Sequence, residues 1–518
     1  MTGAELLVNT AAELEVDICF ANPGTTEMPI VEALDKQKRI RSILGLFEGV
    51  CTGAADGYGR MAGKPAMVLL HLGPGLANGL ANLHNARRAH SPLFNVIGQH
   101  ATWHLPADPL LAMDVEALAG TVSEWQRTNK TIETLSRDTV DAVAAALQGK
   151  VSTLIVPHDH QIAPVNHIAF EESADSLEYL DQDSVESAAR LLHKSGHKTA
   201  VILGGRASRR RGLMIMARVS AATGCSLFVE TFPSRVERGA GLPLVERIPY
   251  FPNQAVSALA GYESIIFAGT REPVAFFGYP GQPSYFLNDQ QAKVHIKASP
   301  NRMEDALEAL ADSLTASKKA PNAAGKLVQL KRPELPEGNL TPQKASAVLA
   351  ALQPEGAIVV EEAITSAGDY FHLSTSAPPH TYLALTGGAI GQGIPCALGA
   401  SLACPDRPVI NLQADGSAMY TVQALWSQAR EAANVKTLIC SNRSYAILRL
   451  ELARAGKKSP GNHALSLTDL SNPELNWVEL SRGLGVPAAR IDKAEDLAQT
   501  LGRALTEPGP YLIEMVFS

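Results

Sequence analysis

The chain has 518 residues, of which 46% are apolar, and its formal net charge is −7. A chain of this length is expected to form about three domains, and its apolar content is enough to give each domain a core. Because the chain has no long basic run, nucleic acid is not expected as a partner.

The distribution of cysteines and apolar residues predicts a cytoplasmic protein without a membrane segment. The six cysteines are scattered and form no CxxC pair, which is typical of buried thiols in a reducing compartment. No uncharged apolar run reaches the roughly 20 residues of a membrane helix, and the N-terminus lacks the pattern of a signal peptide.

The first part of the chain alternates apolar runs that predict buried strands with patterns that predict helices. The predicted strands cover residues 18–21, 66–71, 93–97 and 152–156, and helices are predicted over residues 4–14, 49–61 and 76–88. This alternation is typical of a parallel sheet covered by helices.

The rest of the chain continues this alternation around two predicted linkers, residues 163–184 and 316–340. Predicted strands at 200–203 and 264–267 lie between the linkers, and those at 358–360, 409–412, 436–440 and 511–516 follow the second one. The sequence therefore predicts an α/β protein of three doubly wound parallel-sheet domains, over residues 1–165, 183–318 and 341–518. The two outer domains resemble each other in pattern only.

Two strand ends in the last domain carry oxygen ligands. Asp415 follows one predicted strand, and Asn442 ends the next one along the chain. The carboxyl ends of parallel strands that a helix connects lie side by side. A carboxylate, an amide oxygen and a backbone carbonyl at that edge suit Mg²⁺, which also takes diphosphate oxygens.

Gly416 and Ser417 add features expected of a phosphate site. Gly416 allows the backbone to approach a phosphate closely, and Ser417 offers an N–H and a hydroxyl near a helix start. Taken alone, Asp415-Gly416 could be an ordinary strand-end turn and Asn442 a helix cap. Their joint spacing favours the metal site.

This Asp-Gly-Ser and Asn pattern resembles the cofactor motif of the thiamine-diphosphate-dependent decarboxylase and acetolactate synthase superfamily. The motif usually reads GDG…NN, and this chain has Ala414 and Ser441 at two positions that are not metal ligands. The resemblance implies bound thiamine diphosphate and Mg²⁺, with the metal held by Asp415, the side chain of Asn442 and the carbonyl of Ser444.

Glu48 lies in a segment, LFEGVCTGAADGYGRMAGKPA, that resembles the glutamate segment of this superfamily. In that family the glutamate bonds N1′ of the aminopyrimidine, so that the 4′-amino group can take the proton from thiazolium C2. We expect the small residues after Glu48 to pack tightly and leave its carboxyl in apolar surroundings, which favours the protonated form. The alternative is a surface acid at a helix start.

The segment LTGGAIGQGIP resembles the one that bends the cofactor in the family. The resemblance places Ile390 under the two rings and gives Gly388 a carbonyl for the pyrimidine amine. It also places Ala363, Ile364 and Thr365 where related enzymes contact the diphosphate.

The predicted substrate pocket resembles that of the benzoylformate decarboxylases within this superfamily. ICFANPGTTEMPI and LLHLGPGLANGLANLHNARRAHSPLFNVIGQ are similar to their active-site segments. The resemblance places Thr25 on an active-site serine, His71 on a catalytic histidine and Gln99 beside the pocket. A histidine at a strand end beside the cofactor can relay a proton to the carbon that CO₂ leaves.

The pocket also departs from that of the benzoylformate decarboxylases. VAFFGYPGQPSYF contains Tyr279 and Gln282 but no match for their middle-domain histidine. Ile447 and Glu451 stand where they have a small residue and an aromatic one, which would shrink and polarise the pocket. Two further residues near the pocket stay undecided: His100 and His104.

These resemblances predict a lyase that decarboxylates a 2-oxo acid and releases an aldehyde. A carboligase of acetolactate synthase type is the alternative, because the same first half-reaction can be followed by attack on a second carbonyl. FAD in the middle domain would favour the carboligase, and we do not expect it. A non-enzymatic cofactor binder is disfavoured by Glu48, Asp415 and Asn442, and a nucleotide-dependent oxidoreductase by the lack of GxGxxG after a strand.

The family arrangement implies that Glu48 of one subunit and Asp415 of another complete one active site. A homodimer is therefore expected at minimum, and a homotetramer is usual in the family. A monomer should be inactive.

Overall fold

The computed structural model describes residues 1–165, 178–314, 327–367, 369–454 and 461–517. Residues 166–177 and 315–326, most of which belong to the predicted linkers, lie outside the described residues, and so does the predicted boundary at residue 318. The described residues form three helix-covered sheets whose strands pair in parallel with one exception, which confirms the predicted α/β architecture. None of the described helices combines the length and the apolar character needed to cross a bilayer.

The first sheet is built from the first 157 residues. Its strands are β1 (Ile18–Asn22), β2 (Arg41–Leu44), β3 (Ala66–Leu70), β4 (Leu93–Gln99), β5 (Trp125–Thr128) and β6 (Val151–Pro157), in the order β2-β1-β3-β4-β6-β5. The helices of this region are Gly3–Glu13, Met28–Lys36, Glu48–Ala62, Leu72–Ala89, Val115–Gly120, Leu135–Leu147 and His158–Ile162. Strands β3 and β4 are buried along their whole length because helices cover both faces of the sheet.

The second sheet belongs to the middle of the chain. The strands of this region are β7 (Thr199–Leu203), β8 (Ser226–Val229), β9 (Val236–Arg238), β10 (Glu246–Arg247), β11 (Ser264–Ala268) and β12 (Ala292–Ile296). All but β9 form a parallel sheet in the order β10-β8-β7-β11-β12. The helices of this region are Gln182–Ser195, Arg210–Thr223, Pro252–Leu259 and Met303–Ser313.

The third sheet contains β13 (Ile358–Glu362), β14 (His380–Ala384), β15 (Val409–Ala414), β16 (Val435–Ser441), β17 (Ala488–Ile491) and β18 (Tyr511–Val516). Its order is β17-β18-β16-β15-β13-β14-β9, with β9 antiparallel to β14. The middle segment therefore lends an edge strand to the third sheet, which a division by sequence does not anticipate. The helices of this region are Pro342–Leu352, Tyr370–Leu373, Gly393–Ala403, Asp415–Ala418, Ala424–Arg430, Ala446–Arg454, Asn462–Ser466, Trp477–Gly483 and Ala494–Thr506.

Two helices rich in small residues join the first and third domains. A Cβ on Gly57 would lie 2.0 Å from the carbonyl oxygen of Cys396, and one on Gly399 would lie 1.8 Å from that of Ala54. Only glycine permits such a close approach of one backbone to another. The small residues that follow Glu48 therefore pack tightly, as the sequence predicts, and their partner is the helix Gly393–Ala403.

A buried polar network ties the same two domains together. Asp56 and Arg60 form an ion pair at 2.6 Å, with both side chains almost fully buried. Arg60 Nη1 also donates to the carbonyl of Ala384 at 2.8 Å, and Gln392 Nε2 donates to Asp56 Oδ2 at 3.0 Å. Removing one partner of such a network would leave an unpaired buried charge, which is energetically costly. The network therefore fixes the relative orientation of the two domains.

Candidate active site

Asp415 and Asn442 lie at the carboxyl ends of two neighbouring strands of the third sheet. Asp415 follows β15 directly, and Asn442 follows β16. The two strands pair in parallel up to Ala414 and Cys440. This register brings the two strand ends side by side at the edge where such sheets bind ligands.

The Asp415 carboxylate is buried and held by backbone amides. Its Oδ1 accepts a hydrogen bond from Gly416 N at 2.8 Å, and its Oδ2 accepts one from Arg443 N at 2.6 Å. Burial raises the pKa of Asp415, and the amides of Arg443 and Gly416 oppose that rise. In the described part of the chain no basic side chain pairs with this carboxylate, so a bound cation would offset the cost of its burial.

The loop after β16 brings further oxygen atoms to the same edge. Asn442 Oδ1 accepts hydrogen bonds from Ser444 N at 2.9 Å and from Ser444 Oγ at 3.4 Å. Tyr445 N donates to Thr468 O at 2.9 Å and ties the loop to a later segment. The three predicted metal ligands therefore belong to two adjacent, well-anchored strand ends.

Gly416 and Ser417 are the second and third residues of the short helix Asp415–Ala418. A Cβ on Gly416 would lie 2.4 Å from Cε1 of Tyr445, so the position has no room for a side chain. Ser417 Oγ accepts a hydrogen bond from Gln413 Nε2 at 2.6 Å and donates to Ala414 O at 3.2 Å. The hydroxyl that the sequence assigns to a phosphate is thus engaged within the protein. The N–H of Ser417 remains for that role, because first-turn amides have no partner within the helix.

The turn after β13 carries the three residues expected near a diphosphate. Ala363 is buried in the core, whereas Ile364 and Thr365 are exposed at the edge of the sheet. Of the three, only Ile364 and Thr365 offer their side chains to a ligand.

The loop between β14 and the helix Gly393–Ala403 carries Gly388 and Ile390. Gly388 has a φ of +75°, and a Cβ there would lie 2.2 Å from Cζ of Phe276. The backbone conformation therefore favours glycine, and a side chain here would also have to displace the ring of Phe276. Ile390 is half-buried, so part of its apolar surface is open at this edge.

A helix of the first domain anchors this loop through two asparagines. Asn85 Nδ2 donates to Ala389 O at 2.7 Å. Asn82 Nδ2 donates both to Gly391 O at 3.2 Å and to Gly49 O at 2.8 Å. The loop expected to hold the cofactor is thus fixed against the start of the helix that begins at Glu48.

Glu362 is a buried acid at the end of β13 that is absent from the sequence-based prediction. Its carboxylate accepts hydrogen bonds from Gly391 N at 2.5 Å, from Gly393 N, and from Gln413 Nε2 at 3.2 Å. Burial raises the pKa of Glu362 to about 7, although these donors lower it. Glu362 therefore fixes the backbone beside Ile390. Two acidic residues ending an apolar strand were the available signal in the sequence.

Glu48 begins its helix at the edge of the first sheet. Its Oε2 accepts a hydrogen bond from Asn78 Nδ2 at 3.0 Å, and its side chain is half-buried. Within one chain the neighbouring helix contributes this polar side chain, and the other side of Glu48 is open, so its apolar enclosure stays a prediction for the assembled dimer.

His71 follows β3 and contacts Glu27, a second acid that the sequence-based prediction omits. His71 Nδ1 lies 2.7 Å from Glu27 Oε2, which also accepts a hydrogen bond from Gly24 N at 3.0 Å. Burial raises the pKa of Glu27, while His71 and the Gly24 amide oppose that rise. The position of Glu27, three residues after Gly24 of the Asn-Pro-Gly break that ends β1, was the signal in the sequence.

The two predicted catalytic residues Glu48 and His71 are neighbours. Glu48 Oε1 and His71 Cβ both lie 3.4 Å from the position that a Cβ on Gly75 would occupy. A glycine here leaves open the space between them.

Other residues predicted for the pocket lie along the same edge. Thr25 starts a 3₁₀ turn, Thr25–Glu27, and is exposed, whereas Gln99 ends β4 and is buried. The rings of His100 and His104 are 5.9 Å apart. Burial, followed by the nearby His104 and His71, lowers the pKa of His100. The two undecided histidines therefore lie close to each other and near His71.

Ile447 and Glu451 lie on the helix Ala446–Arg454, which follows the candidate metal loop. Both side chains are partly exposed. Tyr279 OH donates to Glu451 Oε1 at 3.0 Å, so Glu451 joins the third domain to the middle segment. Gln282, three residues after Tyr279, is exposed.

A separate cavity of about 940 Å³ lies between the middle segment and the outer domains. It borders the carboxyl ends of β7 and β11, and its wall includes several basic side chains: Arg88, Arg206, Arg209, Arg235, Arg271 and Lys297. Burial, together with the charges of Arg235 and Arg206, lowers the pKa of Arg209 to about 10. The cavity has the charge for an anionic ligand, and neither Asp415 nor Asn442 lines it.

The donor set of the third sheet fits the metal that the sequence motif implies. Within the described ranges, no three His, Cys, Asp or Glu side chains come together as a metal site. Asp415, Asn442 and the Ser444 carbonyl instead offer a mixed set of oxygen donors. Such a set suits a hard cation that also binds phosphate oxygens, as Mg²⁺ does.

Comparisons with known proteins identify the family. Residues 1–118 match the model described as thiamine pyrophosphate enzyme, N-terminal TPP binding domain, and residues 365–515 match that of the C-terminal TPP binding domain. A Mycobacterium tuberculosis protein named "Putative acetolactate synthase large subunit IlvX" is 48% identical over 519 residues, covering 100% of this chain and 99% of that protein.

More distant relatives are named as benzoylformate decarboxylases, the other group that the sequence resembles. Benzoylformate decarboxylase of Pseudomonas aeruginosa is 30% identical over 530 residues, covering 96% of this chain and 95% of that protein. The thiamine diphosphate-dependent 4-hydroxybenzoylformate decarboxylase of Rhodococcus jostii RHA1 shares the fold, with a TM-score of 0.86 at 24% identity over 100% of this chain and 99% of that one. These matches confirm the predicted superfamily: the chain belongs to the thiamine-diphosphate-dependent enzymes that include the acetolactate synthases and the benzoylformate decarboxylases.

Proposed function

We propose that this enzyme is a Mg²⁺-dependent, non-oxidative decarboxylase that converts a 2-oxo acid to CO₂ and an aldehyde. The observation that carries the proposal is the proximity of Glu48 and His71, which both lie next to Gly75. An acid suited to activating the cofactor thus lies beside a group that can move a substrate proton. The name of the Pseudomonas aeruginosa relative supports the same reaction class.

The edge of the third sheet is proposed to anchor the cofactor. Asp415, Asn442 and the Ser444 carbonyl would hold Mg²⁺ and, through it, the diphosphate. When bound, thiamine diphosphate would supply a nucleophilic carbon for the 2-oxo group and a cationic thiazolium ring to take up the electron pair released with CO₂. Gly388 and Ile390 would orient its rings.

The edge of the first sheet is proposed to move protons. Glu48 would hold a proton at N1′ of the pyrimidine, which makes the neighbouring amino group a base. His71 would deliver a proton to the carbon that CO₂ leaves, and this proton becomes the hydrogen of the aldehyde group. The His71 side chain is 24% exposed, so part of its ring is accessible to a substrate.

The substrate is proposed to be smaller or more polar at its side chain than benzoylformate. Ile447 and Glu451 occupy the positions where the benzoylformate decarboxylases have a small residue and an aromatic one. Glu451 is held by the Tyr279 hydroxyl at 3.0 Å, which favours a fixed polar wall over an aromatic one. Thr25 and Gln99 would complete the pocket from the first domain.

The direct test measures CO₂ release and identifies the products from a panel of 2-oxo acids that runs from pyruvate to benzoylformate. The assays contain thiamine diphosphate and Mg²⁺, with and without an acceptor aldehyde. We expect one aldehyde per CO₂ from at least one acid of the panel. A cofactor-loaded protein that releases CO₂ from none of them would refute the proposal.

A carboligase of acetolactate synthase type is the second candidate. The observation that favours it is the name of the Mycobacterium tuberculosis relative, which is 48% identical. The same panel separates the two reactions, because a carboligase yields a ligated hydroxyketone or acetohydroxy acid instead of free aldehyde. A flavin absorbance in the purified protein would also favour the carboligase, and we expect none.

The active site is proposed to form between two subunits of a homodimer, which could pair further into a homotetramer. Several large apolar side chains lie exposed in the segment that follows the pocket residue Gln99: Trp103, Leu110, Leu111 and Met113. Such patches mark surfaces that bind another protein. A second copy of this chain would cover them and the open side of Glu48.

Subunit exchange between two inactive variants tests this arrangement. Glu48→Gln and Asp415→Ala homodimers are mixed, dissociated and reassociated. In a mixed dimer one site combines the intact Glu48 with the intact Asp415, so random exchange should restore about a quarter of the wild-type activity. No recovery from exchanged subunits would place both residues of a site in one chain.

A reducing compartment, as in the cytoplasm, is the proposed location. The six cysteines are free, and five of them are buried. Free thiols are typical of proteins kept in reducing conditions. Normal folding in a reducing cytosol would agree with this location, and a need for oxidising conditions would contradict it.

A further inference from the structure

Glu27 is a buried acid whose surroundings are shaped around its carboxyl group. Its side chain is fully buried, at the end of the 3₁₀ turn Thr25–Glu27. A Cβ on Gly98 of the neighbouring strand β4 would lie 1.8 Å from Glu27 Oε1. Glycine at that position makes room for the acid.

The imidazole of His71 fits against Glu27 in the same way. His71 Nδ1 lies 2.7 Å from Glu27 Oε2. A Cβ on Gly24 would lie 2.3 Å from Cγ and Nδ1 of His71, so a second glycine makes room for the ring. Two glycines on different elements therefore admit the two halves of one pair.

A purely structural role accounts poorly for this acid. The cap on the turn needs only one acceptor oxygen for Gly24 N, which an amide would also supply. Glu27 Oε1 is buried without a hydrogen-bond partner among the described residues. Burying a carboxyl group in this way is costly, so a neutral side chain would stabilise the fold better.

We propose that Glu27 is a positioning residue that holds His71 through Nδ1, a role that rests on the decarboxylase function proposed above. A carboxylate that accepts a hydrogen bond from Nδ1–H fixes the ring and leaves Nε2 as the atom that handles the substrate proton. Glu27 acts only through His71 and touches neither substrate nor cofactor. The arrangement is the same as in other active sites where a third group orients the catalytic base.

A double-mutant cycle on turnover tests the proposal. Glu27→Gln keeps the shape of the side chain and an acceptor for Gly24 N but removes the charge. We expect it to lower kcat by roughly 10- to 100-fold with KM and cofactor affinity nearly unchanged, since losing an orienting partner has effects of that size. In a His71→Ala background the same change should cost nothing further, because the two residues act as one unit.

Two controls separate positioning from folding. Glu32→Gln changes an exposed acid of the same domain and should leave kcat and the melting temperature as in the wild type. Glu27→Asp retains the charge and should recover part of the kcat lost in Glu27→Gln. If the losses from Glu27→Gln and His71→Ala instead multiply, or if Glu27→Asp is as slow as Glu27→Gln, the positioning role is wrong.

A spectroscopic measurement keeps the test independent of turnover. A proton shared between an imidazole Nδ1 and a buried carboxylate gives a ¹H NMR signal downfield of the amide region. We expect such a signal in the wild-type holoenzyme and its loss in both Glu27→Gln and His71→Ala. A wild-type enzyme that shows this signal but decarboxylates no 2-oxo acid would refute the proposed function alone. Persistence of the signal in Glu27→Gln would refute the pair.

Discussion

The first and third sheets can be compared strand by strand. The first has the order β2-β1-β3-β4-β6-β5, and the third reads β14-β13-β15-β16-β18-β17 once the added β9 is set aside. In each sheet the helix after the strand that comes second in the chain is the one that packs at the domain junction, Glu48–Ala62 in the first and Gly393–Ala403 in the third. The likeness of the outer domains therefore extends from pattern to topology.

Equivalent strand ends in the two sheets carry different chemistry. His71 follows β3, and Asp415 follows the equivalent strand β15. Gln99 ends β4, and Asn442 follows its equivalent, β16. The first edge thus presents Glu48 and His71, which can gain or lose protons, whereas the third presents fixed oxygen donors. One fold supplies two similar edges, and in the proposed function the side chains of the first perform acid–base work while those of the third anchor a charged cofactor.

Removing the anchor should have the largest effect. We expect Asp415→Ala to weaken Mg²⁺-dependent binding of thiamine diphosphate by at least about 100-fold, since it deletes the one carboxylate of the donor set. Titration calorimetry measures the affinity. Asp406→Ala, which changes an exposed acid outside the strand ends, is the control and should bind normally. Unchanged affinity in Asp415→Ala would overturn the assignment of the third edge.

Changing the acid of the first edge should separate chemistry from binding. We expect Glu48→Gln to lower kcat by at least about 100-fold, the scale of general acid–base catalysis, while the cofactor still binds. Steady-state kinetics and calorimetry on the same preparation provide the two readouts. The opposite result would be weak cofactor binding by Glu48→Gln, with normal turnover by the enzyme molecules that do hold cofactor. In that case the two edges do not divide the work as proposed.

A substitution at Gly388 tests how tightly the loop between β14 and the helix Gly393–Ala403 is fixed. Gly388→Ala meets both a φ of +75° and the ring of Phe276, so we expect about 1–3 kcal/mol of destabilisation and an activity loss of roughly 10-fold. Phe276→Ala in the same chain removes the clash but not the backbone strain. It should therefore restore activity only in part. Full activity in Gly388→Ala alone would show that the loop relaxes freely.

The raised pKa of Glu362 should make the stability of the protein depend on pH. This is the smallest effect of these four predictions. The pKa of Glu362 is raised from 4.5 to about 7, so between these values the carboxyl ionises in the unfolded chain but not in the folded one. The wild type should therefore lose a few °C of melting temperature relative to Glu362→Gln, by a rough estimate, as the pH rises through this window. Calorimetry below, within and above the window measures the difference. A difference that does not change with pH would contradict the raised pKa.

The strands and the metal motif were predictable because they depend on local pattern. Apolar runs bounded by Gly and Asn identify strands such as β3, β15 and β16, and parallel pairing then requires Asp415 and Asn442 to meet at one edge. Glu27 and Glu362 were not predicted because the sequence does not show whether an acidic side chain is buried. Each becomes notable only when a partner 44 or 29 residues away reaches its carboxyl group.

The sequence by itself determined the three-part α/β organisation, because apolar runs and helical patterns alternate along it. Its motifs also carried the resemblance to the superfamily, from which the roles proposed for Glu48, Asp415 and Asn442 follow. Only the tertiary structure decided that β9 pairs within the third sheet, that Asn78 donates a hydrogen bond to Glu48, and that the Ser417 hydroxyl accepts one from Gln413. These contacts join residues from separate elements. Their geometry depends on how helices and sheets pack, which no local pattern specifies.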